Sequence, residues 1–259
     1  MEMQCKGCTI HYELSGSGAR RVALLHGWGC SGSLMQPIAD GLSADCTVLT
    51  LDFPGHGASG RPPEPWGVPE YAEALMELFR ALDFVPCDVI AHSFGGRVAI
   101  WLAAGENSPF DRMILTGAAG LKKPQTEEGR RRAEAYRKGK RLNEKLRKVP
   151  ALQGVADRME ERLRRKFGSR DYNALDAEMR RTFVKVIEQD LSECLPAIHS
   201  STLLIWGSQD TETPLWMGQK MEREIPDAGL VVLEGGTHFA YLEQAPRFIA
   251  ITRNFLLGE

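Results

Sequence analysis

Val89-Ile-Ala-His-Ser-Phe-Gly-Gly96 runs from an apolar stretch, Asp88-Val-Ile-Ala91, through a single serine into the amphipathic stretch Gly96 to Ala104. A buried strand that ends at Ser93 and passes at once into a helix forces a sharp turn at the serine. Such a turn strains its backbone and lifts its hydroxyl above the sheet. Strand and helix approach closely there, so small neighbours are required. Gly95 meets that need, and Ala91 stands where the G-x-S-x-G pattern has its first glycine. Taken alone, A-x-S-x-G says little; its force comes from the strand–serine–helix setting.

Outward from this point the chain keeps one rhythm. Short runs rich in Val, Ile and Leu recur at Val22–Leu25, Thr47–Leu51, Met113–Thr116, Thr202–Trp206 and Leu230–Leu233. Continuous apolar runs of this length fit strands covered on both faces. Amphipathic stretches lie between them at Glu70–Leu82, Trp216–Ile225 and Ala245–Leu257. Strands alternating with helices predict an α/β fold with a mostly parallel sheet and helices on both faces. Thr9–Leu14 alternates polar and apolar residues and is expected in an antiparallel edge hairpin.

Residues 121–189 break the rhythm. No strand pattern occurs there, and helices are expected at Glu127–Lys148, Val155–Phe167 and Ala174–Leu191, punctuated by Pro124, Pro150 and Gly168-Ser169. The predicted organisation is a core of 1–120 and 190–259 interrupted by a helical cap, 121–189. This segment holds 21 Lys and Arg against 11 Asp and Glu, while the remainder holds 11 against 23. A segment of about +10 on a body of about −12 is an asymmetry with two readings. Solvated helix faces are the preferred one. Steering of an anionic substrate or an acidic carrier protein is the other, with Arg130–Arg132 and Arg164–Lys166 as its candidates.

Serine is a poor nucleophile at neutral pH unless a base takes its proton. His238, in Gly235-Gly-Thr-His-Phe239 after the last strand, has the right intrinsic pKa. Asp210, in Ile205-Trp-Gly-Ser-Gln-Asp210, would fix its tautomer and stabilise the imidazolium. All three groups follow C-terminal ends of predicted strands, so one crevice collects them. Each has a plainer alternative. Asp210 is also a good N-cap for a helix over 211–217, and His238 could be a loop histidine bonded to backbone. An oxyanion needs donors as well. The backbone N–H groups of Trp28, in Leu25-His-Gly-Trp-Gly29, and of Phe94 are the candidates. The Trp28 indole either lines an acyl pocket or packs under the cap.

Composition excludes several classes. With 43% apolar and 25% charged residues and a net charge of −2, the chain reads as an ordinary soluble domain, expected in the cytoplasm. Its first residues lack the basic-then-apolar pattern of a signal peptide, and no apolar run spans a bilayer. Nucleic-acid binding is not expected, given the slight acidity and the lack of a recognition motif. Six scattered cysteines do not read as a disulfide framework. Cys5 and Cys8 form a single CxxC without a partner pair, read as a turn rather than a metal site.

HGWG at 26–29, Asp52-Phe-Pro-Gly-His-Gly-Ala-Ser59, AHSFGG at 91–96, WGSQD at 206–210 and GGTHF at 235–239 together resemble the α/β-hydrolase superfamily. The resemblance spans about residues 10–255 apart from the cap. It implies the order Ser93, Asp210, His238 as a catalytic triad, a structural role for Asp52 and His56 in a turn, and no cofactor or metal. Among family members the chain is similar to small capped carboxylesterases, such as the pimeloyl-carrier-protein methyl ester esterases. Haloalkane dehalogenases and epoxide hydrolases carry Asp where this chain has Ser93. The expected activity is hydrolysis of a small or medium acyl ester beneath the cap. Two alternatives stay open: C–C bond hydrolysis or a lyase step with the same triad, and a low-turnover receptor or signalling partner.

Overall fold

The computed structural model describes residues 1–124 and 126–258; Gln125 and Glu259, inside the predicted cap and C-terminal core ranges, lie outside the described residues. Two compact units are present, Met1–Leu121 with Val184–Glu259, and Lys122–Phe183.

The first unit is built on an eight-stranded sheet. Its strands are β1 (Glu2–Cys5), β2 (Cys8–Ser15), β3 (Arg20–Leu25), β4 (Cys46–Leu51), β5 (Cys87–His92), β6 (Phe110–Thr116), β7 (Ser201–Gly207) and β8 (Ala228–Leu233). They lie in the order β1-β2-β4-β3-β5-β6-β7-β8. Pairing is antiparallel for β1–β2 and β2–β4 and parallel elsewhere. The expected edge hairpin is β1–β2, closed by Lys6-Gly7 between Cys5 and Cys8, which pair in register. Strand period explains the unbroken apolar runs. Val22 and Leu24 of β3 face one core cluster and Ala23 and Leu25 the other, as Ile90 of β5 opposes Val89 and Ala91. With both faces buried, no position has reason to be polar.

Helices α1 (Gln36–Leu42), α2 (Val68–Ala81) and α3 (Phe94–Ala103) belong to this unit, as do α8 (Trp216–Glu224), α9 (Ala240–Glu243) and α10 (Ala245–Leu257). On one face α2 contributes Tyr71, Leu75, Leu78 and Phe79, and α3 contributes Val98, Ala99 and Ile100. The α2 residues follow the i, i+4, i+7, i+8 stripe of an amphipathic helix, whereas α3 is buried along nearly its whole length. Helix α2 starts where the Glu70 carboxylate accepts from the Gly67 N–H at 2.7 Å, satisfying a donor the helix cannot pair. On the opposite face lie Ile38, Ala39 and Leu42 of α1 and Phe248 and Leu256 of α10 (Ala245–Leu257). The chain runs from β3 to β4 on one side and returns to β5 on the other. The crevice beyond the C-terminal ends of β3 and β5 is therefore a topological switch point.

The second unit is helical: α4 (Glu127–Arg147), α5 (Gln153–Phe167), α6 (Arg170–Ala174) and the first part of α7 (Ala177–Glu188). Thr126 caps α4, its hydroxyl accepting from the Gly129 N–H at 3.0 Å. Asn143 is the one buried residue of α4 and Ala156 that of α5, so their Lys, Arg and Glu side chains are largely solvated. Two departures from expectation have local causes. The helix predicted over 174–191 is broken at Leu175–Asp176, because the Asp176 carboxylate accepts from the N–H groups of Glu178 and Met179 and starts a new helix. The compact unit also ends at Phe183 rather than 189, because Val186 and Leu191 are buried in the core of the first unit. There Leu191 N–H donates to Gly120 O at 2.9 Å, and the buried Arg97 donates to Gln189 O at 2.8 Å.

Candidate active site

Ser93 is the residue between β5 and α3. Its backbone has φ 50° and ψ −107°, a conformation that costs a non-glycine residue about 1–3 kcal/mol. The end of β6 and the loop after it hold it there. Its N–H donates to Thr116 O at 3.3 Å, and its carbonyl accepts from Ala119 N–H at 3.0 Å. The next turn is tight for the reason the sequence suggested. A Cβ on Gly95 would sit 2.5 Å from the Leu25 carbonyl oxygen, so no side chain fits where α3 passes β3. Gly95 N–H donates instead to His26 O at 3.1 Å. Phe94 is the first residue of α3, so its N–H is one that the helix itself leaves unpaired.

Asp210 follows β7 and His238 follows β8. They meet directly, with His238 Nδ1 2.8 Å from Asp210 Oδ2. A carboxylate only accepts, so Nδ1 carries the hydrogen and Nε2 keeps its lone pair. Asp210 is 5% exposed. Burial by itself would raise its pKa, but the His238 bond and charge and the Thr213 bonds hold it below the usual carboxylate value. The capping alternative for Asp210 needs correcting. No helix covers 211–215, and α8 is Trp216–Glu224. Asp210 does cap a turn, its Oδ1 accepting from the N–H groups of Glu212 and Thr213, both at 2.9 Å. The two roles use different oxygens of one carboxylate.

His92, next to Ser93, connects the serine turn to the histidine loop. Its Nε2–H donates to His238 O at 3.0 Å, and the two imidazoles lie 4.7 Å apart. Burial, with the nearby His238, pushes the His92 pKa down to about 3, so this ring stays neutral. His238 is thus held by Asp210 through its ring and by His92 through its backbone.

The Leu25–Gly29 loop is ordered by a second neutral imidazole. His26 Nδ1–H donates to Gly27 O at 2.7 Å, and its Nε2 accepts from Phe53 N–H at 2.9 Å. Burial pushes its pKa down to about 4. Cys30 N–H also donates to Gly27 O, at 3.2 Å. In a planar trans peptide the C=O and N–H point in opposite directions. Pinning Gly27 O on this side therefore turns the Trp28 N–H to the other. The Trp28 and Phe94 rings meet edge to face at 5.2 Å, which brings the two residues carrying the expected oxyanion donors together.

Comparison with known proteins places the chain in a family. The model of the alpha/beta hydrolase family matches residues 22–251. The chain belongs to that family. A curated relative of this α/β-hydrolase is the pimeloyl-[acyl-carrier protein] methyl ester esterase of Neisseria meningitidis, 29% identical over 254 residues, 92% of this chain and 94% of the relative. The fold of this chain is shared by the enol-lactonase of Burkholderia xenovorans, with a TM-score of 0.75 at 22% identity over 99% of this chain and 100% of that one. A meta-cleavage product hydrolase of Pseudomonas fluorescens shares it too, with a TM-score of 0.73 at 21% identity over 100% and 97%.

The structural role that the resemblance implied for Asp52 is visible in this α/β-hydrolase. Its carboxylate accepts from Gly32 N–H at 2.6 Å and Ala58 N–H at 2.8 Å, tying together two loops beside the crevice. His56 Nδ1–H donates to Pro54 O at 3.2 Å, and its ring meets the Trp28 ring edge-on at 4.7 Å. Three further residues of the site carry no motif signal strong enough to find them from sequence. His26 and His92 sit inside quoted motifs but look like spacers, and Thr213 is an unremarked loop residue. Only the hydrogen bonds reveal them. Among the described residues, no helix of this α/β-hydrolase is long and apolar enough to cross a membrane.

Proposed function

We propose that this α/β-hydrolase is a serine carboxylesterase acting on small or medium acyl esters through an acyl-enzyme. The observation that carries the reading is the 2.8 Å bond between Asp210 and His238, which leaves the His238 Nε2 lone pair available as a base. The strained Ser93, joined to the same loop through His92, supports its role as the nucleophile. Ser93 Oγ attacks the ester carbonyl carbon while its proton passes to His238 Nε2. The carbonyl oxygen becomes an oxyanion, held by the N–H groups of Trp28 and Phe94. The intermediate then collapses, and His238 returns the proton to the departing alcohol. Water, activated by the same histidine, releases the acid from Ser93. Asp210 keeps the imidazole in the required tautomer and stabilises the imidazolium. The reading requires no cofactor or metal.

Hydrolysis of p-nitrophenyl acetate, butyrate and octanoate by wild type and Ser93→Ala tests this. Turnover by the wild type with a loss of about 10⁴-fold or more in the variant is expected. Equal turnover by both proteins refutes Ser93 as nucleophile. The likeness to the meningococcal esterase, together with the Lys and Arg excess of residues 121–189, supports adding a carrier-protein-linked methyl ester to the panel. Cleavage of a ring-cleavage diketone without any ester turnover would favour C–C hydrolysis by the same residues.

A further inference from the structure

The Asp210–His238 pair has a third participant. Thr213 Oγ1 lies 2.8 Å from Asp210 Oδ2, 3.2 Å from His238 Nδ1 and 2.9 Å from Gly117 O. Thr213 is 5% exposed, and its N–H already donates to the other oxygen of Asp210. A hydroxyl has one proton to give. Gly117 O and Asp210 Oδ2 only accept, so they compete for it. The carboxylate carries the charge, and a charge-assisted hydrogen bond is roughly twice as strong as a neutral one. The proton therefore points chiefly to Asp210 Oδ2, with Gly117 O as the weaker acceptor of the same O–H. Oδ2 then serves two donors at once, Thr213 O–H and His238 Nδ1–H.

We propose that Thr213 is a positioning residue that shares the Asp210 charge with His238 and so weakens His238 as a base, keeping it unprotonated to lower pH. The assignment of His238 as the general base rests on the serine-hydrolase reading; the hydrogen-bond competition does not. An oxygen that accepts a second hydrogen bond holds less charge for the first donor, so the imidazolium is stabilised less than by an unshared carboxylate. Few other ionisable groups face the pair. His92 on β5 contacts His238, His26 lies behind His92, and burial keeps both neutral. Tyr241 packs against His92 with ring centroids 4.7 Å apart, and burial raises its pKa. Glu243 accepts from Thr237 N–H on the histidine's own loop, at 2.8 Å. The end of β6 contributes only the Gly117 backbone.

The test compares Thr213→Val, which keeps the shape and loses the donor, with Thr213→Ser, which keeps the donor. Two readouts are used: the pH dependence of kcat/KM on p-nitrophenyl butyrate, and the NMR titration of the His238 ring protons in a Ser93→Ala background. Thr213→Val is expected to move both the acid limb and the His238 midpoint upward by about half to one pH unit. Thr213→Ser is expected to restore wild-type values, and Thr213→Ala replaces the valine variant if that one fails to fold. An unchanged or lowered His238 midpoint in the donor-less variants overturns the proposal, as does a serine variant that behaves like valine. The NMR midpoint needs no catalysis. If it moves while Ser93→Ala leaves esterase turnover intact, Thr213 keeps this role and the serine-esterase reading falls.

Discussion

Asp210→Asn tests the site most sharply, because the structure dictates which way the new amide must point. Asp210 Oδ1 accepts two backbone N–H groups, from Glu212 and Thr213. An asparagine must keep its carbonyl oxygen there, since an NH₂ at that position would face two donors. The NH₂ therefore takes the place of Oδ2 and presents a hydrogen to His238 Nδ1, 2.8 Å away. His238 has to answer with a bare Nδ1 and a protonated Nε2, the tautomer that cannot take a proton from Ser93. In a serine hydrolase this inversion costs about 10⁴-fold in kcat. At about 1.36 kcal/mol per factor of ten, that is roughly 5.5 kcal/mol of transition-state stabilisation. Folding should suffer far less, because both backbone bonds to Oδ1 survive. Asp210→Ala removes those acceptors and leaves two buried N–H groups unpaired, at about 1–3 kcal/mol each. The expected result is that Asn and Ala variants are both nearly inactive on p-nitrophenyl butyrate, with Ala clearly the less stable in urea. An asparagine variant that is folded and keeps more than a tenth of wild-type kcat/KM would falsify the orienting role of Asp210.

Two further predictions concern the neutral histidines and the packing beneath the pair. Burial pushes His26 down to about 4 and His92 to about 3, both below the ordinary value of about 6.5, so the unfolded chain takes up these protons first. Their contribution is present above pH 6.5 and is lost as pH falls towards 4 for His26 and 3 for His92, approaching about 1.4 kcal/mol per pH unit for each histidine below pH 6. Unfolding free energies from urea melts at pH 7, 6 and 5 should show His92→Gln with the flatter pH dependence, by about 1 kcal/mol between pH 6 and 5; identical pH dependences would mean that His92 is not buried neutral. At Gly117, φ is +51° and an added Cβ would lie 3.2 Å from both Asp210 Oδ2 and His238 Nδ1. Gly117→Ala is expected to lose about 1–2 kcal/mol through the left-handed backbone and about 10- to 100-fold in kcat/KM by displacing the pair. Wild-type kinetics in that variant would contradict the packing described.

Much of the fold was legible because burial on both faces writes itself into composition. The runs at Val22–Leu25, Val89–Ala91 and Met113–Thr116 are apolar at every position that the two cores claim, and all lie within observed strands. Helix α1 carries a much weaker signal: seven residues with a proline in the first turn and only Ile38, Ala39 and Leu42 buried. The break at Leu175–Asp176 was hidden for another reason. The apolar spacing continues through it, and the cap depends on which N–H groups the Asp176 carboxylate meets. Charge in the 121–189 segment was readable as a count. That α4 buries little more than Asn143 was not, since burial depends on what lies opposite each face.

Ser93, Asp210 and His238 could be nominated from sequence because each follows a strand in an α/β alternation, and strand ends in parallel sheets share one edge. The sequence alone thus determined the alternation of the central strands with helices and the residues worth watching. Their relations were decided only by the tertiary structure. The registers of β6, β7 and β8 bring Gly117, Asp210, Thr213 and His238 within hydrogen-bond reach, although Asp210 and His238 are 28 residues apart. Burial, a property of the assembled core, makes His26 and His92 neutral scaffolding and leaves His238 as the imidazole bonded to a carboxylate. Hydrogen bonds depend on distance and direction to a few tenths of an ångström, and a linear pattern of residue types carries neither.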